Sequence, residues 1–349
     1  MINKLEKTTV TLGTVAGAAV LAVGLMVARH AWREKRFMDL RGKQALITGG
    51  SRGLGLVLAR ELVAQGARVV ICARDEEELA RARAEFNARG EDILAVACDV
   101  TQQEDIDDLL QFIERRAGPI DILINNAGMI MAGPLDAMDT KDFEDSMNLH
   151  FWAPLKLTRA VLPAMRGRGS GRIVNIASFG GRVSVPHILP YSASKFALVG
   201  LSEGLRSELT KEGIYVTTVC PGMLRTGSHL QAEFKGQNSL EYTWFTLSNA
   251  NPLLSMSAET AAKRIVVALQ NGEANLTLTF AAKALEKLHA IAPETTAHLL
   301  SAMNRVLPNA AGVTERVKGK DSKNFITDSP LTAHLERAAE RNNEVDAEE

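Results

Sequence analysis

The chain has 349 residues, of which 46% are hydrophobic and 23% charged, with a formal net charge of −1. That balance allows a core of ordinary size and excludes a global basic field that would attract nucleic acid. Cys72, Cys98 and Cys220 each end an apolar run and lack the spacing of a metal site or disulfide framework, so they are expected as buried thiols in a reducing compartment.

From Thr8 to Ala28 there is no charged residue. As a helix at ~1.5 Å per residue this stretch reaches about 31 Å, enough to cross a bilayer. A secretory signal peptide fits less well, because the apolar run is long and no clean cleavage site follows. Arg29, Arg33, Lys35 and Arg36 outnumber Lys4 and Lys7 on the other flank. The positive-inside bias therefore predicts a single-pass anchor with the bulk of the chain facing the cytoplasm. Residues 1–37 form this anchor and its basic neck.

Past the neck, apolar runs alternate with helical periodicity. Strands are predicted at Gln44–Thr48, Arg68–Cys72, Ile93–Cys98, Ile122–Ile124, Arg172–Ala177, Ile214–Val219 and, more weakly, Asn275–Thr279. Helices are predicted at Leu54–Gln65, Glu76–Ala88 and Gln102–Arg116. This alternation means an α/β fold, a doubly wound parallel sheet of the Rossmann type forming one domain over 38–280. Such sheets bind ligands beyond the carboxyl ends of their strands, so the residues following each strand are the candidates. The remainder, 281–349, reads as an extension: two amphipathic helices, Ala281–Ala292 and Thr295–Leu307, then a polar, loosely packed tail.

The first strand runs into Thr48-Gly49-Gly50-Ser51-Arg52-Gly53-Leu54-Gly55 and then a helix. Glycines there let the backbone turn sharply and approach a pyrophosphate at the helix N-terminus. After the second strand Ala73 stands where an NAD-selecting acid is expected, and Arg74 follows. Together with Arg52 it offers planar donors for a 2′-phosphate, so NADP(H) is the preferred cofactor and NAD(H) the alternative. Asp99 and Val100 follow the third strand and are placed for the adenine edge. Asn126, Ala127 and Gly128 follow the fourth, where asparagine can bond neighbouring backbone and glycine leaves room. Ser178 follows the fifth and can hold a substrate oxygen. Tyr191 and Lys195 are spaced i and i+4, so on a helix they share a face, where an ammonium would lower the pKa of a phenol.

In this order the motifs resemble the short-chain dehydrogenase/reductase family, over roughly Leu40 to Phe280. The resemblance implies that Tyr191 donates the proton in carbonyl reduction, that Lys195 also grips the nicotinamide ribose, and that Ser178 orients the carbonyl. It implies a water relay supported by Asn148, and a nicotinamide bordered by Pro221, Gly222 and Thr226. Specificity is left to a lid over Gly227–Met256, holding Phe234, Tyr242, Trp244, Phe245, Leu253, Leu254 and Met256. These either suit a lipophilic carbonyl or alcohol (steroid-, retinoid-, sphingoid- or acyl-like) or simply pack the lid onto the domain. The expected function is an NADP(H)-dependent ketone/alcohol oxidoreductase at a bilayer, compatible with a homo-oligomer. Its rivals are a tethered reductase of soluble carbonyls such as 3-oxoacyl thioesters and a non-catalytic scaffold.

Overall fold

A computed structural model of the chain describes residues 33–345. Five segments rich in β-branched and aliphatic residues form the middle of one parallel sheet: β1 (Gln44–Thr48), β2 (Arg68–Ala73), β4 (Ile122–Asn125), β6 (Gly171–Ile176) and β7 (Ile214–Cys220). The edges are β3 (Leu94–Ala97) and β11 (Asn275–Thr277), giving the order β3-β2-β1-β4-β6-β7-β11; the short strands β5 (Met131–Ala132), β8 (Met223–Arg225), β9 (Glu233–Phe234) and β10 (Ser255–Ser257) lie outside this sheet. Every residue of β1, β4 and β6 is buried, as expected for strands covered on both faces. The order reverses between β1 and β4, which opens a crevice at their carboxyl ends.

Helices α1 (Gly53–Ala64), α2 (Glu76–Ala88) and α8 (Ala258–Gln270) cover one face. Their apolar stripes, including Leu56, Leu62, Phe86 and Ile265, interlock with Ile47, Ile71 and Ile124 in one core cluster. The opposite face is covered by α3 (Gln103–Ala117), α5 (Ala153–Arg168) and α6 (Leu189–Leu209). There Ile106, Leu109, Leu157, Val161 and Met165 pack on Leu46, Leu123 and Ile173. Between α4 (Thr140–Met147) and α5 the helix widens into a π turn over Asn148–Trp152. The strands and helices predicted for the sheet and its two faces are therefore present, with ends displaced by at most two residues. The three cysteines are free and buried.

Among the described residues no helix is long and apolar enough to cross a membrane, and the expected span at 8–28 lies outside them. The neck is partly absorbed into the domain. Arg33 pairs with Glu273, Arg36 lies 5.4 Å over the Tyr215 ring, and the Met38 N–H donates to the Gln270 carbonyl at 2.9 Å.

After β11 come α9 (Phe280–Ile291) and α10 (Pro293–Asn304), close to expectation. The segment beyond Pro308 corrects the reading as a loose tail. Its β12 (Val317–Lys318) pairs antiparallel with β9 (Glu233–Phe234), and α11 (Ala333–Arg341) buries Leu335, Ala338 and Ala339. Polar groups anchor it as well. Arg316 reaches Asp142 at 2.7 Å and Asp145 at 2.9 Å, while Lys235 reaches Asp142 at 2.7 Å. Charged side chains conceal this docking from a search for apolar periodicity.

Candidate active site

The glycine turn is held by side chains of the neighbouring strand end. Thr48 Oγ1 accepts from the Asn126 and Ala127 N–H groups at 3.0 Å, and Asn126 Nδ2 donates to the Thr48 and Gly49 carbonyls. The turn is tight enough that a β-carbon on Gly55 would lie 2.0 Å from the Gly49 oxygen. Gly49 and Gly53 both adopt positive φ, which L side chains seldom accept. Helix α1 starts at Gly53 with no side-chain cap and no acidic residue in its first turn. Its first N–H donors thus suit a phosphate, and the cradle fits a dinucleotide.

The two arginines differ in their surroundings. Arg74 is exposed at the end of β2. Arg52 is held by Glu78 at 2.7 Å and lies 3.4 Å from Glu344, while the Ser51 hydroxyl donates to Glu78 at 2.7 Å. A 2′-phosphate would meet Arg74 directly and would have to compete with Glu78 for Arg52 and Ser51. Asp99 is half-buried and accepts from Thr101, and Val100 is buried in the core. At the far end of the crevice the Pro221 carbonyl accepts from the Phe179 N–H at 2.7 Å. Gly222 closes on Thr279, and the buried Thr226 hydroxyl donates to Ser228 at 2.8 Å.

Ser178, Tyr191 and Lys195 converge beside this crevice. Ser178 leaves β6, and its hydroxyl oxygen accepts from the Gly180 N–H at 3.0 Å. Tyr191 and Lys195 share a face of α6, with the ammonium nitrogen 5.6 Å from the centre of the phenol ring. Lys195 Nζ donates to the Ile176 carbonyl at 2.9 Å. Burial depresses this amine to about 7. Burial also pushes the Tyr191 phenol up to about 12, against a hydrogen bond with Ser178 that pulls it down. The expected lowering of the phenol by its lysine is thus reversed in this state, because loss of water outweighs an amine that is itself driven toward neutrality.

Sequence reasoning missed His150. It is buried between Gly128 and α6, accepts from the Met129 N–H at Nε2 (3.1 Å) and meets Ser194 Oγ at Nδ1 (2.8 Å). Because Nε2 is an acceptor, Nδ1 carries the proton and donates to Ser194, which in turn donates to the Tyr191 carbonyl at 2.8 Å. Burial and the nearby Lys195 hold this imidazole neutral. Asn148, two residues earlier, has an exposed side chain, and its carbonyl closes the π turn with the Ala153 N–H. In sequence, nothing distinguishes His150 from any helical histidine.

The lid aromatics largely pack inward. Phe234, Tyr242 and Phe245 form a buried cluster with Ala132 and Ala232, so most of the aromatic concentration is lid core. Ile130, Ile188 and Met223 pack against that cluster while keeping partial exposure. Each lies within a few residues of Gly128, Tyr191 or Gly222. Leu253 is 82% exposed and lines nothing described.

A Rossmann sheet with a glycine turn after β1 and a Ser–Tyr–Lys group beside β6 defines a nicotinamide-type oxidoreductase. The short chain dehydrogenase profile matches residues 43–235, and the chain belongs to that family. A putative ketoacyl reductase of the granaticin polyketide synthase from Streptomyces violaceoruber is 39% identical over 215 residues, 60% of this chain and 79% of that protein. The 3-ketodihydrosphingosine reductase of Bos taurus is 33% identical over 189 residues, 53% of this chain and 57% of that protein. Among solved structures, L-sorbose reductase from Gluconobacter frateurii, complexed with NADPH and L-sorbose, superposes with a TM-score of 0.62 at 27% identity, covering 69% of this chain and 97% of that one.

Proposed function

We propose that this protein is an NADP(H)-dependent enzyme interconverting a lipophilic ketone or aldehyde with its alcohol, held at a membrane by residues 8–28 with its catalytic domain in the cytoplasm. The observation that carries the reading is the convergence of Ser178, Tyr191 and Lys195 beside the crevice at the carboxyl ends of the strands. A bound nicotinamide would supply or accept the hydride. Tyr191 delivers the proton to the carbonyl oxygen, and Ser178 holds that oxygen in line with the phenol. Lys195, once a cofactor's anionic groups favour its charged form, lowers the phenol from its resting value toward working pH. His150 cannot take up that proton cheaply, since it is buried and neutral; it fixes the loop carrying Gly128 and Met129 against α6.

Preference for NADP(H) is supported by Ala73, standing where an acid would otherwise select NAD(H), by the exposed Arg74 next to it, and by the NADPH complex of the sorbose reductase. The lipophilic substrate is supported by the partly exposed Ile130, Ile188 and Met223 and by similarity to a 3-ketodihydrosphingosine reductase. A second reading, a tethered reductase of 3-oxoacyl thioesters, is favoured by similarity to the ketoacyl reductase.

A panel of ketones, followed by nicotinamide absorbance with NADPH and NADH, tests both. Long-chain or polycyclic ketones in detergent should outpace short polar ones, and NADPH should outpace NADH. Faster turnover of short thioesters would favour the second reading; no turnover of any carbonyl would leave a scaffold. For the anchor, removal of residues 1–32, which spares Arg33 and Arg36, should release soluble protein; persistent membrane binding would contradict it.

A further inference from the structure

Where α1 offers uncapped backbone donors, the molecule already supplies an anion of its own. After α11 the chain turns back across the glycine turn as Asn342-Asn343-Glu344. The Gly53 N–H donates to the Asn342 carbonyl at 2.8 Å. Beside it lies the Glu344 carboxylate, its side chain only 2% exposed. A β-carbon built on Gly53 would stand 2.5 Å from Glu344 Oε1 and 3.9 Å from Thr226 Cβ, so the carboxylate sits between the glycine turn and the threonine that borders the cofactor crevice. Glu344 Oε2 is buried without a hydrogen-bond partner, 3.4 Å from Arg52 Nε. The strap is fastened on both sides. Asn342 Nδ2 donates to the Thr226 carbonyl at 3.1 Å, and Asn343 Nδ2 donates to the Ser51 and Glu78 carbonyls at 2.9 Å.

We propose that Asn342–Glu344 is an internal competitor for the dinucleotide: its carbonyl and carboxylate hold the pyrophosphate position at the start of α1, and the cofactor binds as the strap leaves. This rests on the reading of Thr48–Gly55 as the dinucleotide turn. The Gly53 N–H has one hydrogen, and Asn342 has taken it. A buried carboxylate and a diphosphate cannot share one desolvated site, since like charges there repel with little screening. The strap's asparagines are well bonded, Arg60 and Arg81 also donating to Asn342 Oδ1 and Asn343 Oδ1, but its carboxylate is poorly satisfied. Burial pushes the Glu344 carboxyl up to about 7 against the pull of Arg52, and Oε2 lacks a donor, so the docked state carries a penalty that makes displacement feasible. Departure of the strap removes one of the two carboxylates on Arg52, which strengthens that guanidinium as a phosphate ligand.

The test is NADPH binding to the full chain by nucleotide fluorescence, comparing the native protein with Glu344→Ala and with Asn342→Ala/Glu344→Ala. If the strap competes, Kd falls by roughly ten-fold in the single variant and further in the double, as the binding-competent fraction grows. Hydrogen exchange on the native protein is the second measurement: residues 339–345 should lose protection when NADPH is added. Unchanged or weaker binding in the variants, or a strap that stays protected with NADPH bound, would overturn the proposal while leaving the dinucleotide turn intact. Failure of all three proteins to bind NADPH or NADH would overturn both.

Discussion

At the scale of single residues, burial sets the protonation of the reactive pair. Lys195 is 3% exposed and depressed to about 7 from an ordinary 10.5. Below pH 7 it is charged both folded and unfolded, and the fold bears the whole desolvation cost. Between 7 and 10.5 only the unfolded chain holds the proton, so stability is regained as pH rises through that window. Replacement by an apolar residue of similar length should remove the cost. Lys195→Met is predicted to be more stable than the native protein at pH 6 by roughly 4 kcal/mol, less about 1 kcal/mol for the orphaned Ile176 carbonyl. The advantage should shrink clearly by pH 9. Thermal unfolding at the two pH values measures it, and a pH-independent difference would show that the lysine is not buried in its charged form.

How much of the site was legible in sequence follows from the kind of contact involved. Ser178, Tyr191 and Lys195 were legible because each follows a strand or recurs on one helix face. His150 was not, because its partners are the Met129 backbone and a serine 44 positions away. Asn148 was placed in a relay by resemblance alone, and the π turn that starts at it leaves its side chain exposed, a feature no residue spacing announces. Glu344 was hidden most completely, since an acidic residue near a polar terminus ordinarily means solvent.

Among the elements, glycines separate structural need from tolerance. Gly55, in the first turn of α1, has no room for a side chain, with the Gly49 oxygen 2.0 Å and Asn126 Nδ2 2.6 Å from a built β-carbon. Gly55→Ala should cost roughly 1–3 kcal/mol and weaken nucleotide binding, because the turn must open. Gly200, mid-way along α6, has nothing within 4 Å of such a carbon. Gly200→Ala should instead stabilise by about 0.5–1 kcal/mol through helix propensity alone. Melting temperatures of the two variants should therefore move in opposite directions; a shared sign would mean the turn is looser than described. The sheet strands and the first three helices were readable because apolar period and turn residues agree there. The lid was readable in position only: Phe234, Tyr242 and Phe245 spend their area on one another, which composition cannot reveal.

For the whole molecule, the carboxyl-terminal extension is bound to the domain by a charge network centred on buried Asp142 as well as by the Leu335, Ala338 and Ala339 face of α11. Asp142, fully buried, receives Lys235 and Arg316 and caps α4 together with Asp139. Asp142→Asn leaves Lys235 buried with only the exposed Asp139 beside it. Removing one partner of such a pair is expected to cost about 3–5 kcal/mol in thermal or denaturant unfolding. A change below about 1 kcal/mol would mean that water already reaches these charges. The same extension carries the strap to the glycine turn, so the element that looked detachable in sequence touches both the lid edge and the glycine turn.

The chemistry stands on Tyr191 as the proton donor, and one substitution addresses that most directly. Tyr191→Phe keeps the ring and its place beside His150 and Lys195 but removes the hydroxyl. Turnover of whichever ketone the panel selects should fall at least ~100-fold, the scale of a lost general acid. NADPH affinity, read by fluorescence on the same sample, should stay within about two-fold, well under the 1.4 kcal/mol that a ten-fold change represents. A variant that binds NADPH normally and still reduces the ketone at near-native rate would contradict the assignment of Tyr191 and the mechanism built on it.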